Sequence, residues 1–100
     1  MADGFLSMPR VRFLGKVRVA LGQSDIEANG RTVGELLDRL GGRFGDPFRR
    51  LVGDGAALAE DAEVLVNGRN VVFLDGVQTV LDGGDELTIF MSGVRGFPGG

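Results

Sequence analysis

One hundred residues, 43% of them apolar and 25% charged, describe a single domain of soluble type with room for one core. A net charge of −3 argues against a nucleic-acid binder, which needs a basic patch to neutralise phosphates. The absence of cysteine and histidine excludes disulfides, thiolate metal sites, a cysteine nucleophile and a serine–histidine triad together. Ten of the eleven basic residues are arginines scattered along the chain, and Lys16 is the only lysine. No apolar run approaches the ~20 residues of a membrane span. The start, MADGFLSMPR, lacks a basic stretch followed by a long apolar one, so a cytoplasmic protein with no membrane contact is expected.

Residues 1–8 show no period and read as a flexible extension, ahead of a compact domain over residues 9–91. Arg10 to Leu14 alternates polar and apolar and suits a first strand. Lys16 to Leu21 also alternates but is soon broken by Gly22, which leaves strand and irregular link both open. Ser24 to Ala28 alternates again before the turn signal Asn29-Gly30, so a hairpin opens the domain. Thr32 and Glu35 form a capping box, and Val33, Leu36, Leu37 and Leu40 make one helical stripe. Gly41-Gly42 is expected to end that helix. Asp46-Pro47 opens a short helix through Leu51, with the aspartate as cap. Glu63 to Val66 is a strand closed by Asn67-Gly68, and Asn70 to Leu74 a further short strand. Asp82-Gly83-Gly84-Asp85 is a tight turn before a last strand, Glu86 to Met91. Strands covered on one face by a crossing helix give an α+β layer arrangement, and the pattern alone does not choose how the strands pair.

Residues 92–100, Ser92 to Gly100, hold four glycines and a proline and are expected to form a flexible tail. A chain ending in Gly99-Gly100 offers an unhindered carboxylate on a backbone without side chains, able to enter a narrow cleft of another protein. Adenylation turns such a carboxylate into a mixed anhydride that sulfide or a thiolate can attack. That chemistry needs nothing else from the carrier. With 18 glycines, a Gly-Gly pair at a given place arises by chance with a probability of about 0.03. Composition alone therefore leaves the tail open between a working end and a frayed one. Phe97 reads equally as a docking anchor and as an exposed aromatic. Asp82, Asp85 and Glu86 lack the spacing of a calcium loop and read as turn formers, so no metal site is expected. There is no Walker A pattern or dinucleotide fingerprint, so no bound cofactor is expected and ATP would be held by a partner.

Three stretches resemble the MoaD/ThiS sulfur carrier proteins, the MoaD type more closely. They are Gly30 to Leu37, Val64 to Asn70, and Phe73-Leu74-Asp75-Gly76 with Leu81 to Phe90, followed by the Gly-Gly end. The resemblance implies the β-grasp (ubiquitin-like) fold, a mixed sheet of about four to five strands packed on one main helix, and a non-catalytic carrier. It makes Gly100 the residue adenylated and converted to a thiocarboxylate, with Gly99, Pro98 and Phe97 in the partner's cleft. The implied partners are a MoeB-like adenylyltransferase related to ubiquitin-activating enzymes and a MoaE-like large subunit of molybdopterin synthase. Phe90 falls where the family's last strand hands over to the tail. Met91 to Pro98 is longer than the family's usual Pro-rich link. Competing readings are a ubiquitin-like modifier joined to proteins through Gly100, a sulfur donor for thiamin or cysteine, and a plain interaction domain with an inert tail. Docking is expected on the exposed sheet face beside the tail.

Overall fold

The computed structural model describes residues 8–92. Strand β1 (Arg10–Phe13) places Val11 and Phe13 on one side, both fully buried. The next segment is a helix, α1 (Gly15–Leu21), rather than the strand or link left open by the pattern. Its alternation misleads because Val17 and Leu21 are four apart and share a helical face. Val17 is buried and Leu21 packs against the core, whereas Val19 between them is 79% exposed. The Gly22 N–H bonds to the Arg18 carbonyl at 2.9 Å and closes the last turn. Strand β2 (Asp25–Glu27) then pairs antiparallel with β1, Arg10 opposite Glu27 and Arg12 opposite Asp25. The expected first hairpin therefore exists, but a helix joins its strands.

Helix α2 (Val33–Phe44) starts as expected: the Thr32 hydroxyl oxygen accepts the Glu35 N–H at 3.1 Å. The Glu35 carboxylate takes the Arg31 N–H at 2.6 Å, one residue before the N-cap of a standard box. Val33, Leu36, Leu37 and Leu40 are all buried. The expected stop at Gly41-Gly42 is wrong; the helix continues to Phe44 and Gly45 caps it. Two interior glycines cost about 1 kcal/mol each. Against that, the Phe44 ring meets Phe13 edge-on at 5.9 Å and Phe48 at 6.3 Å. Aromatic pairs add about 0.5–1.5 kcal/mol each beyond the area they bury. Tertiary packing thus overrides the local stop signal.

Gly45 also caps α3 (Asp46–Leu51), so Asp46 lies in the first turn instead of at the expected cap position. Phe48 anchors α3 in the core, and the Arg49 side chain lies across Gly41 of α2. Strand β3 (Ala62–Val66) turns through Asn67-Gly68 into β4 (Arg69–Asn70). Both turn residues have positive φ, 51° and 87°, as a two-residue hairpin loop requires. The expected strand over residues 70–74 is absent beyond Asn70. The Asn70 side-chain oxygen accepts the Val72 N–H at 3.0 Å, and the chain coils into a 3₁₀ turn over Val71–Phe73. A second 3₁₀ turn, Gly76–Gln78, precedes β5 (Glu86–Met91). Before β5, the Asp85 side chain accepts the Asp82 N–H at 2.8 Å and closes the expected tight turn.

The five strands lie in the order β2-β1-β5-β3-β4. β1 and β5 run parallel, Arg10 beside Glu86 and Phe13 beside Ile89; β5 and β3 run antiparallel, Val64 opposite Ile89. Val11, Phe13, Val64, Val66, Leu87 and Ile89 form the inner face and share one core cluster with Leu36, Leu37 and Leu40 of α2. The N-terminal half of α2 is held by loops: Asp38 accepts the Gly55 N–H at 2.8 Å, and Val33 donates to the Thr79 carbonyl at 2.9 Å. A Cβ on Gly34 would lie 2.8 Å from the Gly55 carbonyl oxygen and 3.1 Å from that of Val77. Gly34→Ala is therefore expected to destabilise the fold by about 1–3 kcal/mol. At exposed Gly42 of the same helix a Cβ meets nothing within 4 Å, and Gly42→Ala is expected to stabilise by about 0.5–1 kcal/mol. Urea denaturation of the two variants beside the parent chain checks both signs.

Candidate functional site at the tail exit and the open sheet face

The centre of the sheet determines where the chain leaves the domain. β5 is flanked on one side by β1, whose neighbour Leu14 donates its N–H to the Ile89 carbonyl at 3.1 Å. On the other side Met91 pairs with Ala62, and the Ser92 N–H bonds to the Asp61 carbonyl at 2.7 Å. The last described residue is thus tied to the sheet by its backbone. The expected site residues Gly100, Gly99, Pro98 and Phe97 all lie outside the described residues, as does most of the expected N-terminal extension.

Residues that alternate with the buried ones point to the other face, where no helix covers them. β1 contributes Arg10 and Arg12, β5 Glu86, Thr88 and Phe90, and β3 Glu63 and Leu65. Register sets them in rows: Asp25, Arg12, Thr88, Leu65 and Asn70 cross the sheet, and Glu63 stands opposite Phe90. Arg12 and Asp25 pair at 3.7 Å with both side chains about half exposed, a contact worth about 1 kcal/mol or less. Asn70 donates to the Glu63 carboxylate at 2.5 Å, which holds that acid down between strands.

Around Leu65 the face becomes apolar. Leu65, Gly68, Arg69, Asn70, Phe73 and Leu74 line a shallow recess. The Phe73 ring is 83% exposed and Val72 69% exposed, while Leu65 and Phe90 remain half-buried. Leu14, extended and 39% exposed, continues the β1 row towards Phe90. This places apolar side chains on both sides of the strand that leads into the tail. The resemblance placed Phe90 at the end of the last strand and included Leu65 and Phe73 in its matching stretches, but nothing in the sequence assigned any of them, or Val72, a place on this face. Their signal is the run Val71-Val72-Phe73-Leu74, four apolar residues following a turn, of which only Val71 is fully buried.

The remaining surface carries no comparable chemistry. Among the described residues no group of three or more acidic side chains is placed to share a metal ion, and no helix is long and apolar enough to cross a membrane. What the described residues do present is the half-apolar sheet face beside β5.

A five-stranded mixed sheet with its first and last strands parallel at the centre, grasping one main helix, is the β-grasp of ubiquitin-like proteins. Solved structures share it. A small archaeal modifier protein 1 from Methanosarcina acetivorans matches with a TM-score of 0.77 over 90% of this chain and 97% of that one, at 24% identity, a likeness of fold alone. A chain of the Amycolatopsis orientalis BexX/CysO complex matches with a TM-score of 0.72, 30% identity and coverage of 84% and 94%. In sequence, the small archaeal modifier protein 3 of Haloferax volcanii is 37% identical over 83 residues, 80% of this chain and 89% of that protein. The ThiS family profile matches residues 11–92, and the chain belongs to that family of ubiquitin-like sulfur carriers and modifiers.

The two faces of the sheet should respond differently to substitution. Phe73→Ser is expected to leave stability within about 0.5 kcal/mol, because little of that ring is removed from water. Ile89→Ala, on the fully buried inner face of β5, is expected to cost about 2–5 kcal/mol. Chemical denaturation followed by circular dichroism measures both.

Proposed function

We propose that this protein is a sulfur carrier whose Gly100 carboxylate is adenylated and then converted to a thiocarboxylate, for delivery in molybdopterin biosynthesis. The observation that carries the reading is the junction of fold and chain end. The central strand of a β-grasp sheet leads through Ser92 into a sequence that closes on Gly99-Gly100. In the first step a carboxylate oxygen of Gly100 attacks the α-phosphorus of ATP, and pyrophosphate leaves. Sulfide then attacks the acyl carbon, its C–S bond replaces the C–O bond to the phosphate, and AMP leaves. Gly99 supplies clearance behind the reacting group, and Pro98 and Phe97 lie along the cleft wall.

The ATP site and the sulfur source belong to a MoeB-like adenylyltransferase, and the receiving site to a MoaE-like large subunit. The chain's own part is to be held while its end is inside another protein. The apolar face of Leu65, Phe73 and Phe90, with Leu14 beside it, serves that purpose, since docking needs a desolvated centre ringed by polar groups. Arg12 and Arg69 supply part of that rim. The 37% identity to a protein named as a modifier favours a second reading, in which Gly100 is joined to lysines of other proteins. Delivery of sulfur for thiamin or cysteine uses the same activated end.

Intact-mass measurement after incubation with a MoeB-like enzyme, ATP and sulfide separates these readings. The carrier reading expects a gain equal to the exchange of one oxygen for sulfur, abolished when Gly100 is deleted. A ladder of adducts on other proteins, without free thiocarboxylate, supports the modifier instead. An unchanged mass with an enzyme active on its own carrier removes both. Phe73→Ser and Phe90→Ala are each expected to raise the KM for activation roughly tenfold with kcat little changed, as lost docking contacts do.

A further inference from the structure

The chain holds two Asn-Gly pairs, Asn29-Gly30 and Asn67-Gly68, and the fold gives them opposite settings. We infer that Asn29 is a site of spontaneous modification: the Gly30 backbone nitrogen closes on its side-chain amide, ammonia leaves, and the residue becomes aspartate or isoaspartate, while Asn67 is held back. This chemistry needs no partner and is independent of how the tail is used. An asparagine followed by glycine is open to such ring closure because no side chain on the next residue shields the attacking nitrogen. Between two such pairs, the one whose side chain is free to meet its neighbour's nitrogen reacts first.

Asn67, in the loop between β3 and β4, has its side chain tied at both ends. Its Nδ2 donates to the Asp85 carboxylate at 2.9 Å, and its Oδ1 accepts the Glu86 N–H at 2.9 Å. Its own N–H bonds to the Glu86 carbonyl at 2.8 Å. Ring closure there must first break both side-chain bonds and draw the amide away from β5. Asn29 lies exposed on the short join between β2 and α2, and neither it nor Gly30 has the positive φ of the Asn67-Gly68 loop. The Asn29 Oδ1 accepts the Gly30 N–H at 3.0 Å, which sets the attacking nitrogen beside the amide it attacks. Among the described residues no other hydrogen bond holds that side chain or the Gly30 N–H. A pair already side by side needs a rotation to react, and no tertiary contact has to break first.

Water is the only co-reactant. The Gly30 nitrogen gives its proton to solvent and bonds to Asn29 Cγ; the Cγ–Nδ2 bond breaks, and ammonia leaves with the electron pair and a proton from solvent. Water then opens the cyclic imide. Opening at the side-chain carbonyl gives aspartate. Opening at the main-chain carbonyl gives isoaspartate, whose backbone runs through Cβ and is longer by one carbon. The join accepts a charge more readily than that extra length. Ala28 is tied to the Pro9 carbonyl at 3.1 Å and the Arg31 carbonyl to Leu81 at 2.8 Å, and a Cβ on Gly30 would lie 2.7 Å from the Leu36 nitrogen. Isoaspartate at position 29 therefore loosens the link between the edge strand β2 and the start of α2.

The test incubates the full chain at mildly alkaline pH, folded and in urea, and follows both asparagine peptides by mass. In the folded chain the Asn29 peptide is expected to exchange NH2 for OH at least about tenfold faster than the Asn67 peptide, because freeing Asn67 breaks hydrogen bonds each worth a factor of several. In urea the two should convert at similar rates. Asn29→Gln should abolish conversion at position 29 and leave Asn67 as slow as before. Converted chain containing isoaspartate should unfold at lower urea than Asn29→Asp, which carries the charge without the extra backbone carbon. Equal rates in the folded chain, faster conversion at Asn67, or an Asn29 that changes only in urea each overturn the inference. So does a preference for Asn29 in urea as large as in the folded chain, since that places the cause in local sequence. An isoaspartate chain as stable as Asn29→Asp overturns the loosened join.

Discussion

The parallel pairing of β1 with β5 is the contact on which the rest of the molecule depends. It joins Arg10 to Glu86, residues 76 positions apart, and brackets the pair with backbone bonds from Arg10 to Asp85 and from Leu14 to Ile89. Closing so long a loop costs conformational entropy before any contact is gained. The return is that β5 becomes the middle strand, hydrogen-bonded on both sides, with Leu87 and Ile89 wholly buried. A strand placed there is the least prone of any in the sheet to fray. Its end at Met91 is therefore a firm point from which the chain continues, and a peripheral strand would have given a looser one.

From that pairing follows the division of the sheet into two faces with different duties. The inner residues of β1, β3 and β5 meet α2 and share one core, and fully burying each large apolar side chain contributes about 1.5–3 kcal/mol. Phe13, Phe44 and Phe48 extend the core to the end of the domain where α2 and α3 meet. The other face keeps apolar groups in contact with water at Leu65, Phe73 and Phe90, which the stability of the domain does not require. A surface of that kind is understood when a partner covers it. The protein thus separates what holds it together from what it shows to others.

Much of this was legible in the sequence where the signal was local. The capped stripe of α2, the Asn67-Gly68 turn, the Asp82–Asp85 turn and the alternation of β1 and β5 each depend on residues within one or two turns of one another. The misreadings share a cause. Lys16 to Leu21 alternates like a strand, yet Val17 and Leu21 fit a helix equally, and only the core beneath them decides between the two. Gly41-Gly42 carries a stop signal that distant Phe13 overrules through Phe44. Val71 to Leu74 has the composition of a strand, but the Asn70 side chain takes the Val72 N–H and turns the backbone away.

By itself, then, the sequence determined the family to which this protein belongs and the side-chain chemistries it lacks. A chain without cysteine or histidine has no thiolate or imidazole to offer, and the stretches Gly30 to Leu37, Val64 to Asn70 and Leu81 to Phe90 carried its family. It also determined most element types, since period and capping act over a few residues. Tertiary structure alone decided strand order, and with it which residues stand beside the exit of the tail. Glu63 comes opposite Phe90, the Phe73 ring projects near Leu65, and Lys16 lies at the end where Ser92 departs. None of these neighbours is close in sequence. Their proximity exists only once β5 has paired with β3 on one side and with β1 on the other.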